Sequence, residues 1–421
     1  MLLNLYLYIF FYIFILFSAL GYGFLFLNLG NYTKNYNNLG YVGLFGIFFM
    51  LGYSYASNLV LAHGKLHNLI FLSVGIIFFS YFYFKNNKIL RKELFLIFFL
   101  LFIASFIFKT HDDFPYYHFP YSYYLTQTDF MIGVGQFNHG FRTPSSIFYI
   151  NSLVYLPLIE FNLIHMPSLM IMGFVNLVLL QKIYENFNDK KINFLGFYCL
   201  MALMFINIFF YRIGEHGTDR SAQILIFLLI LEVLSLNNLN LSDKITVNKL
   251  YILMGLIISL KAFYVLYLLF LLPILNFVLK KISFRNFLNI FFKNIYFIFF
   301  IFIIFFVLLN NFFNSGCFVY PVNITCITSV SWSIPLNEVS SMNDWYEQWS
   351  KGGAGPNFRV DNPTIYIQGF NWLSNWINVY FFTKVSDFLL GIFTISLILF
   401  IVFYSKKKQD IKIENSLTFT Y

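Results

Sequence analysis

Residues 294–311, NIYFIFFIFIIFFVLLNN, form an apolar run without a single charged side chain. Comparable runs recur from one end of the chain to the other, at about 3–27, 40–62, 67–84, 94–108, 166–183, 193–211, 222–238, 250–279 and 387–404. An α-helix needs about 20 apolar residues to cross the hydrocarbon layer of a bilayer, and most of these runs approach that length. The pattern predicts an all-α fold, a polytopic bundle of transmembrane helices.

The amino-acid composition points to the same class of protein. Hydrophobic residues make up 59% of the chain, charged residues only 11%, and the mean hydropathy is +0.71. A soluble domain carries about 25% charged residues, so this chain has too few to cover a water-exposed surface. The first run, Leu2 to Asn28, follows no basic residue and precedes no small-residue cleavage site, so we expect a retained helix rather than a signal peptide.

Basic residues between the apolar runs predict the orientation of the chain. Eighteen of the 27 Lys and Arg lie in one set of connections, at Lys34, Lys85 to Lys92, Lys182 to Lys191, Lys244 to Lys249, Lys280 to Lys293 and Lys406 to Lys412. The positive-inside rule assigns this set to the cytoplasm. Because that bias explains the net charge of +9, the charge does not indicate nucleic-acid binding.

Two runs decide how many times the chain crosses. Run 250–279 begins and ends beside cytoplasmic charge, so we expect two short helices that turn near Ser259-Leu260-Lys261. If the stretch Ser146 to Phe161 crossed the membrane, the basic carboxyl-terminal tail would lie outside. We therefore expect this stretch to be a re-entrant or interfacial helix on the outer side. About eleven crossings follow, with the amino terminus outside and the carboxyl terminus cytoplasmic, in a bacterial inner or plasma membrane.

This arrangement divides the chain into four regions. Residues 1–93 are expected to form amino-terminal transmembrane helices, and 94–311 a transmembrane core whose outer loop, 109–165, carries the candidate site. Residues 312–386 form a long extracytoplasmic loop, and 387–421 the last helix with a basic tail. No nucleotide-binding motif occurs in the cytoplasmic connections, so any chemistry is expected on the outer side.

Three cysteines bear on the redox environment. Cys199 lies within an apolar run and is expected to be a packed core residue. Cys317 and Cys326 flank eight residues in the outer loop, where oxidation is permitted, so we expect a disulfide with two free thiols as the alternative. Two cysteines at this spacing do not indicate zinc.

The candidate catalytic residues, Asp112 and Asp113, follow directly after a predicted membrane helix. Adjacent carboxylates at a membrane boundary are costly unless they are solvated or paired. One of them would act as a general base on an acceptor hydroxyl, or both would hold a divalent metal together with His111 or His118. The alternative is a polar interface loop without catalytic function. No ligand spacing specifies a metal, so metal dependence stays open.

Further candidate binding residues follow in the same loop. His139 and Arg142 precede Pro144 and two serines, a typical start of a helix. Free amide groups there, together with the guanidinium, would favour an anion such as phosphate. The alternative is an ordinary capped interfacial helix whose arginine extends to the membrane surface.

Two more outer positions complete the candidate set. The turn between runs 193–211 and 222–238 contains Glu215, His216, Asp219 and Arg220, which either bind a ligand or form local ion pairs. Lys261 lies inside an apolar run, where a charge costs about 3 kcal/mol on insertion scales. Its ammonium group therefore needs a carboxylate or a bound phosphate, or it extends to the surface.

The layout of residues 94–183 resembles the GT-C superfamily of membrane glycosyltransferases. Asp112 and Asp113 match the acidic site that these enzymes place after a membrane helix, and Arg142 to Leu158 resembles their juxtamembrane helix. The acidic loop follows the fourth predicted helix here, whereas it commonly follows the first helix in that superfamily. The resemblance implies a polyprenyl-phosphate-linked sugar donor, an aspartate base, and Arg142, Arg220 and Lys261 on the leaving phosphate.

Other functions remain open from the sequence. A polysaccharide polymerase or ligase would use similar lipid-linked glycans and similar basic residues. A transporter or flippase of lipid-linked or anionic substrates is a different class, but the chain shows no clear internal repeat. The expected partners are therefore the lipid bilayer and a polyprenyl-phosphate sugar donor, with no nucleic acid; donor sugar, acceptor and oligomeric state are not specified.

Overall fold

The computed structural model is predominantly helical. It describes residues 2–31, 38–85, 92–106, 111–187, 194–210, 217–235, 244–272, 285, 288, 292–355 and 357–405. Within these ranges the α-helices are α1 Leu2–Leu29, α2 Leu39–Asn58, α3 Lys65–Lys85, α4 Lys92–Ala104, α5 Phe119–Gln127, α6 Ser146–Ser152, α7 Met166–Phe187, α8 Phe194–Phe209, α9 Asp219–Leu234, α10 Lys244–Leu260, α11 Ile295–Ser315, α12 Leu336–Ser350, α13 Pro363–Ile367, α14 Leu373–Trp376 and α15 Ser386–Ser405.

Six helices in the described ranges are long and apolar enough to cross a membrane. They are Leu5–Leu29, Leu39–Asn58, Lys65–Lys85, Met166–Asn186, Ile295–Ser315 and the continuous helical stretch Leu373–Ile401. Phe194–Phe209 and Val247–Leu260 are apolar but shorter. The prediction of a mostly helical fold with several helices apolar enough to cross a membrane is confirmed.

The apolar runs locate the helices accurately, with two differences. Each run except 250–279 coincides with one helix to within about one turn. Run 250–279 is broken at the expected place, because α10 ends at Leu260 and a 3₁₀ helix continues over Ala262–Phe270. Residues 273–279 lie outside the described residues.

The second difference concerns Ser146 to Phe161, which was expected to be one helix. Only Ser146–Ser152 is helical, and turns follow, with a bridge between Leu156 and Glu160. Leu158 and Glu160 adopt left-handed backbone angles with φ of 68° and 48°. The juxtamembrane helix predicted from the resemblance is therefore reduced to seven residues, and these angles prevent a helix from resuming before Phe161.

The chain forms two compact units. The first contains the described parts of Met1–Phe130 and Pro144–Val307. Its core begins with α1 packed between α2 and α3, where backbones approach closely: a Cβ at Gly21 would collide with the carbonyl oxygen of Gly75. Small residues allow such close packing of membrane helices. Cys199 is fully buried in α8, as expected for a core residue.

The second unit contains Met131–Thr143 and the described parts of Leu308–Lys408. Cys317 and Cys326 form the expected disulfide, and Cys317 packs with Tyr320, Ile334 and Val339 in a small core. Helix α12 leads into a two-stranded hairpin, Ala354–Gly355 with Phe358–Arg359. The predicted long loop is therefore a folded element with its own core.

Candidate functional site

The acidic segment after α4 has a defined local structure. Phe114–His118 forms a π-helix that runs directly into α5, and π-helical turns in proteins often occur at functional sites. Tyr117 donates a hydrogen bond from its hydroxyl to Asp113 Oδ2 at 3.2 Å. His111 Nδ1 lies 3.4 Å from the same oxygen and accepts a hydrogen bond from the Asp113 amide at 3.2 Å. The carboxylate of Asp113 is thus held by Tyr117, while the His111 ring is held against the Asp113 backbone.

His118, the last residue of the π-helix, is largely buried against Phe148 of α6, with ring centroids 5.1 Å apart. Burial lowers the pKa of His118 to about 4, because the charged imidazolium is poorly solvated there. The ring is therefore neutral at physiological pH. Its Nε2 atom is buried and has no hydrogen-bond partner within the described part of the chain.

A second charged pair lies in the same unit. Lys261, in the break between α10 and the following 3₁₀ helix, has its Nζ 2.6 Å from Oδ1 of Asp219 at the start of α9. Both side chains are accessible, with 50% and 41% of their surface exposed. The carboxylate partner that the sequence required for Lys261 is therefore Asp219, and the ammonium group remains open to solvent or ligand.

The two groups of charges act electrostatically on the same imidazole. The pKa of His118 is affected, after burial, by Asp113, His111, Asp219 and Lys261 in decreasing order. Three stretches far apart in sequence thus come close to one imidazole. We refer to His111, Asp113, His118, Asp219 and Lys261 as the charged cluster. It combines a positioned carboxylate, a neutral imidazole and an accessible ammonium group.

Neighbouring side chains extend the cluster along α9. Arg220 donates to Gln223 Oε1 at 2.7 Å, and Gln223 donates to the Tyr264 hydroxyl at 3.3 Å. The guanidinium of Arg220 also lies 5.0 Å from the ring centre of Phe210. Asp112, in contrast to Asp113, is exposed and makes no hydrogen bond or ion pair with the described residues.

Arg142 does not have the free guanidinium that a phosphate site requires. Only 6% of its side chain is exposed, and it donates to Gly135 O at 3.1 Å, Tyr320 Oη at 2.7 Å and Glu338 Oε1 at 2.5 Å. These partners all belong to the second unit. Three of its five N–H donors are thus bonded within the protein and little of the side chain is accessible, which argues against an anion site at this position.

The remaining candidates are placed as follows. His139 lies in a 3₁₀ turn, His139–Phe141, of the second unit, whereas the charged cluster belongs to the first. Glu215 and His216 lie outside the described residues. Within the described ranges, no three His, Cys, Asp or Glu side chains are arranged to hold a metal ion.

Two members of the site neighbourhood were missed by the sequence reasoning. Tyr117 follows Asp113 by four residues, the spacing that brings side chains together on a helix. Tyr264 follows Lys261 by three residues and could have been recognised in the same way. Neither residue was singled out, because the chain contains 31 tyrosines and the presence of one more near a charged residue indicates little.

The comparisons with known proteins define the family but no activity. No curated protein and no solved structure is significantly similar to this chain. A family profile described as a domain of unknown function, DUF8201, matches residues 4–421, almost the entire sequence. The chain therefore belongs to the DUF8201 family.

Proposed function

We propose that this protein is a membrane glycosyltransferase that transfers a sugar from a polyprenyl-phosphate-linked donor to an acceptor hydroxyl. The observation that carries the proposal is the charged cluster: the carboxylate of Asp113, which accepts a hydrogen bond from Tyr117, and the accessible ammonium group of Lys261 both act electrostatically on the imidazole of His118. A base and a cation are the two groups that displacement of a phosphate-linked sugar requires. Both lie in the unit that contains most of the candidate membrane spans.

The proposed reaction is an inverting displacement. Asp113 removes the proton from the acceptor hydroxyl while that oxygen attacks the anomeric carbon of the donor sugar. The bond between the anomeric carbon and the phosphate oxygen breaks, and its electrons leave with the polyprenyl phosphate. Lys261 stabilises the charge that develops on this phosphate, and Asp219 holds the ammonium group beside it.

The neighbours of Asp113 favour it over Asp112 as the base. Tyr117 fixes the orientation of the Asp113 carboxylate through a hydrogen bond, and a base must be held within hydrogen-bonding reach of the proton that it removes. His118 stays neutral, so it does not neutralise the carboxylate by forming a fixed ion pair. Arg220 is the second candidate cation for the phosphate, while Arg142 no longer has this role.

The transmembrane arrangement belongs to the same proposal. We propose about eleven crossings, with the amino terminus outside, the carboxyl terminus in the cytoplasm and the charged cluster on the outer side. The distribution of basic residues supports this orientation. An outer site suits a lipid-linked donor, because nucleotide sugars are confined to the cytoplasm.

The test uses the full chain in lipid nanodiscs, incubated with undecaprenyl-phosphate-linked hexoses and a membrane extract as acceptor. Released undecaprenyl phosphate is measured by mass spectrometry. We expect Asp113→Asn to reduce release at least 100-fold, because general-base catalysis contributes about 10²–10⁴-fold. Asp129→Asn is the matched control, since Asp129 is an exposed carboxylate of the same segment.

Two outcomes would contradict the proposal. If the Asp113→Asn variant released undecaprenyl phosphate as fast as the wild type does, this residue would be ruled out as the base. Absence of release with every donor, combined with movement of the intact lipid-linked sugar across the membrane, would instead identify a flippase.

A further inference from the structure

Helix α6 begins beside a serine whose side chain bonds to two helices. Ser145, the residue before α6, accepts a hydrogen bond on its Oγ from the Ile147 amide at 3.4 Å, as is typical of a residue that caps the start of a helix. The same hydroxyl donates to the carbonyl oxygen of Leu260 at 2.7 Å. Leu260 is the last residue of α10, where carbonyl groups lack partners within their own helix. One side chain therefore joins the start of α6 to the end of α10.

The carbonyl that Ser145 bonds directly precedes Lys261. The Lys261 backbone is extended, with φ of −155° and ψ of 118°, between α10 and the 3₁₀ helix. Its Nζ reaches Asp219 Oδ1 at 2.6 Å although 50% of the side chain is exposed. An exposed lysine side chain has many accessible rotamers, so the place of its ammonium group depends on where its backbone is held. Ser145 is only 8% exposed, so little water competes for its bond to Leu260.

The same turn of α6 also contacts the segment that carries the proposed base. Phe148, three residues after Ser145, is buried, and its ring centre lies 6.2 Å from that of Tyr117. Tyr117 in turn donates the hydrogen bond to Asp113 Oδ2. A single helical turn thus packs against the neighbour of Asp113 at one end and bonds to the residue before Lys261 at the other.

We propose that Ser145 is a positioning residue for Lys261 in the transfer reaction. Its bond to the Leu260 carbonyl fixes the backbone from which the Lys261 side chain extends, and α6 fixes that backbone relative to Asp113. This inference rests on the proposed function, which assigns Lys261 to the leaving phosphate and Asp113 to the acceptor. Small displacements of a catalytic group strongly reduce the rate, so the spacing between the two groups must be held.

The first test measures the reactivity of the Lys261 amine in the purified full chain, by acetic anhydride labelling and mass spectrometry of its peptide. Asp219→Asn removes the carboxylate partner and sets the reference rate for an unpaired amine. Ser145→Ala should raise the labelling rate from the wild-type value toward this reference, because the backbone of Lys261 is no longer held. Ser146→Ala is the matched control: Ser146 is fully buried, and its hydroxyl has no hydrogen-bond partner among the described residues, so the wild-type rate should persist.

The second test measures the affinity for undecaprenyl phosphate in phosphatidylcholine nanodiscs. Ser145→Ala should weaken binding about fivefold, the factor that corresponds to one lost hydrogen bond between neutral groups. Ser145→Thr keeps the hydroxyl and should retain wild-type binding. Ser145→Cys, whose thiol is a weak donor, should show a smaller loss, and it replaces the alanine variant if that variant does not fold.

A double substitution separates positioning from a general effect on the fold. In a chain that carries Lys261→Met, Ser145→Ala should cause no further loss of affinity, because the group that it positions is gone. An equal loss with and without Lys261 would overturn the inference. Labelling of Lys261 at the wild-type rate in both Ser145→Ala and Ser145→Cys would overturn it as well.

The two tests also distinguish failure of this inference from failure of the proposed function. If Ser145→Ala raises the labelling of Lys261 but the wild type neither binds undecaprenyl phosphate nor releases it from a donor, Ser145 still positions Lys261 and the transferase proposal is wrong. If the wild type releases undecaprenyl phosphate and Ser145→Ala changes neither labelling nor affinity, the reverse holds.

Discussion

Two ion pairs that the sequence presents in the same way have opposite roles in the structure. Arg142 pairs with Glu338 in the second unit, and Lys261 pairs with Asp219 in the first. The side chain of Arg142 is 6% exposed and has three oxygen partners, whereas that of Lys261 is 50% exposed. A cation that is buried and held by three protein oxygens stabilises the fold, whereas a half-exposed cation can exchange a carboxylate for a phosphate.

The surroundings of the two pairs sharpen this difference. Arg142 lies among neutral groups, the Gly135 carbonyl and the Tyr320 hydroxyl, and its guanidinium is 5.3 Å from the Tyr320 ring centre. Lys261 and a second carboxylate, that of Asp113, both influence the pKa of His118. The first arrangement is complete without a ligand. The second brings together excess reactive groups, which is typical of functional sites.

The largest effect on stability is expected at Arg142, whose guanidinium is buried although its partner Glu338 is half-exposed. Arg142→Met removes a charge-assisted hydrogen bond and two others, which should lower the free energy of unfolding by about 3 kcal/mol. The apparent melting temperature of the purified chain should fall by roughly 5 °C. Lys384→Met, an exposed cation of the same unit, is the control and should leave the melting temperature unchanged.

Binding separates the structural role of Arg142 from a role in phosphate recognition. Folded Arg142→Met protein should bind undecaprenyl phosphate with wild-type affinity. If the Arg142→Met variant melted like the wild type but no longer bound undecaprenyl phosphate, Arg142 would belong to the phosphate site. The two ion pairs would then not differ in role.

The sequence predicts the helices well because helix positions depend on local composition. Each helix that spans a membrane must be apolar along its own length, so a run such as 294–311 locates α11 without knowledge of its neighbours. The break after Leu260 was likewise visible, because Lys261 interrupts an apolar run. These features require no long-range information.

The partners of the charged residues were not predictable in the same way. Glu338 lies 196 residues after Arg142 in the chain, and nothing in the local sequence of either residue indicates the other. The pairing of Lys261 with Asp219 became visible only once α9 and α10 were packed together. Sequence thus identifies charges that need a partner, and the fold decides whether that partner is a protein group or a ligand.

The buried, neutral imidazole of His63 provides the next test of how burial affects a titratable group. His63 is fully buried, with Nε2 hydrogen-bonded to Ser57 Oγ and Nδ1 to Ser152 Oγ. Burial, followed by the nearby His67, lowers the pKa of His63 to about 3. Between about pH 3 and 6.5 the unfolded chain therefore binds more protons than the folded chain, so stability rises with pH in this window and is fully present above it.

We expect the melting temperature to fall as the pH is lowered from 7.5 to 4.5. His63→Gln should reduce this fall, because it removes one of the groups that must be protonated on unfolding. Burial lowers the pKa values of His118 and His165 to about 4. These two residues should therefore account for part of the fall in melting temperature that remains in the His63→Gln variant. A variant with the same pH dependence as the wild type would show that His63 is already charged in the fold.

Disrupting the exposed pair of Lys261 and Asp219 should weaken lipid binding rather than lower the stability. Lys261→Met removes an ion pair that is half-exposed on both sides, and such pairs contribute about 0–1 kcal/mol. The melting temperature should therefore change little, whereas the affinity for radiolabelled undecaprenyl phosphate should fall about tenfold. Lys261→Arg should retain most of the binding, since it keeps the charge. A large loss of stability without loss of binding would make this pair structural, like that of Arg142.

The smallest effect is expected at Lys182, which forms an ordinary pair within one helix. Its Nζ is 2.7 Å from Glu185 Oε2, with 27% and 47% of the two side chains exposed, so its exposure lies between those of Arg142 and Lys261. Pairs at this helical spacing contribute about 0.2–0.5 kcal/mol. Lys182→Met should therefore change neither the melting temperature nor the affinity for undecaprenyl phosphate. If it weakened lipid binding as much as Lys261→Met, the net positive charge of the chain would explain the binding, and the location of Lys261 beside Asp219 and His118 would have no special role.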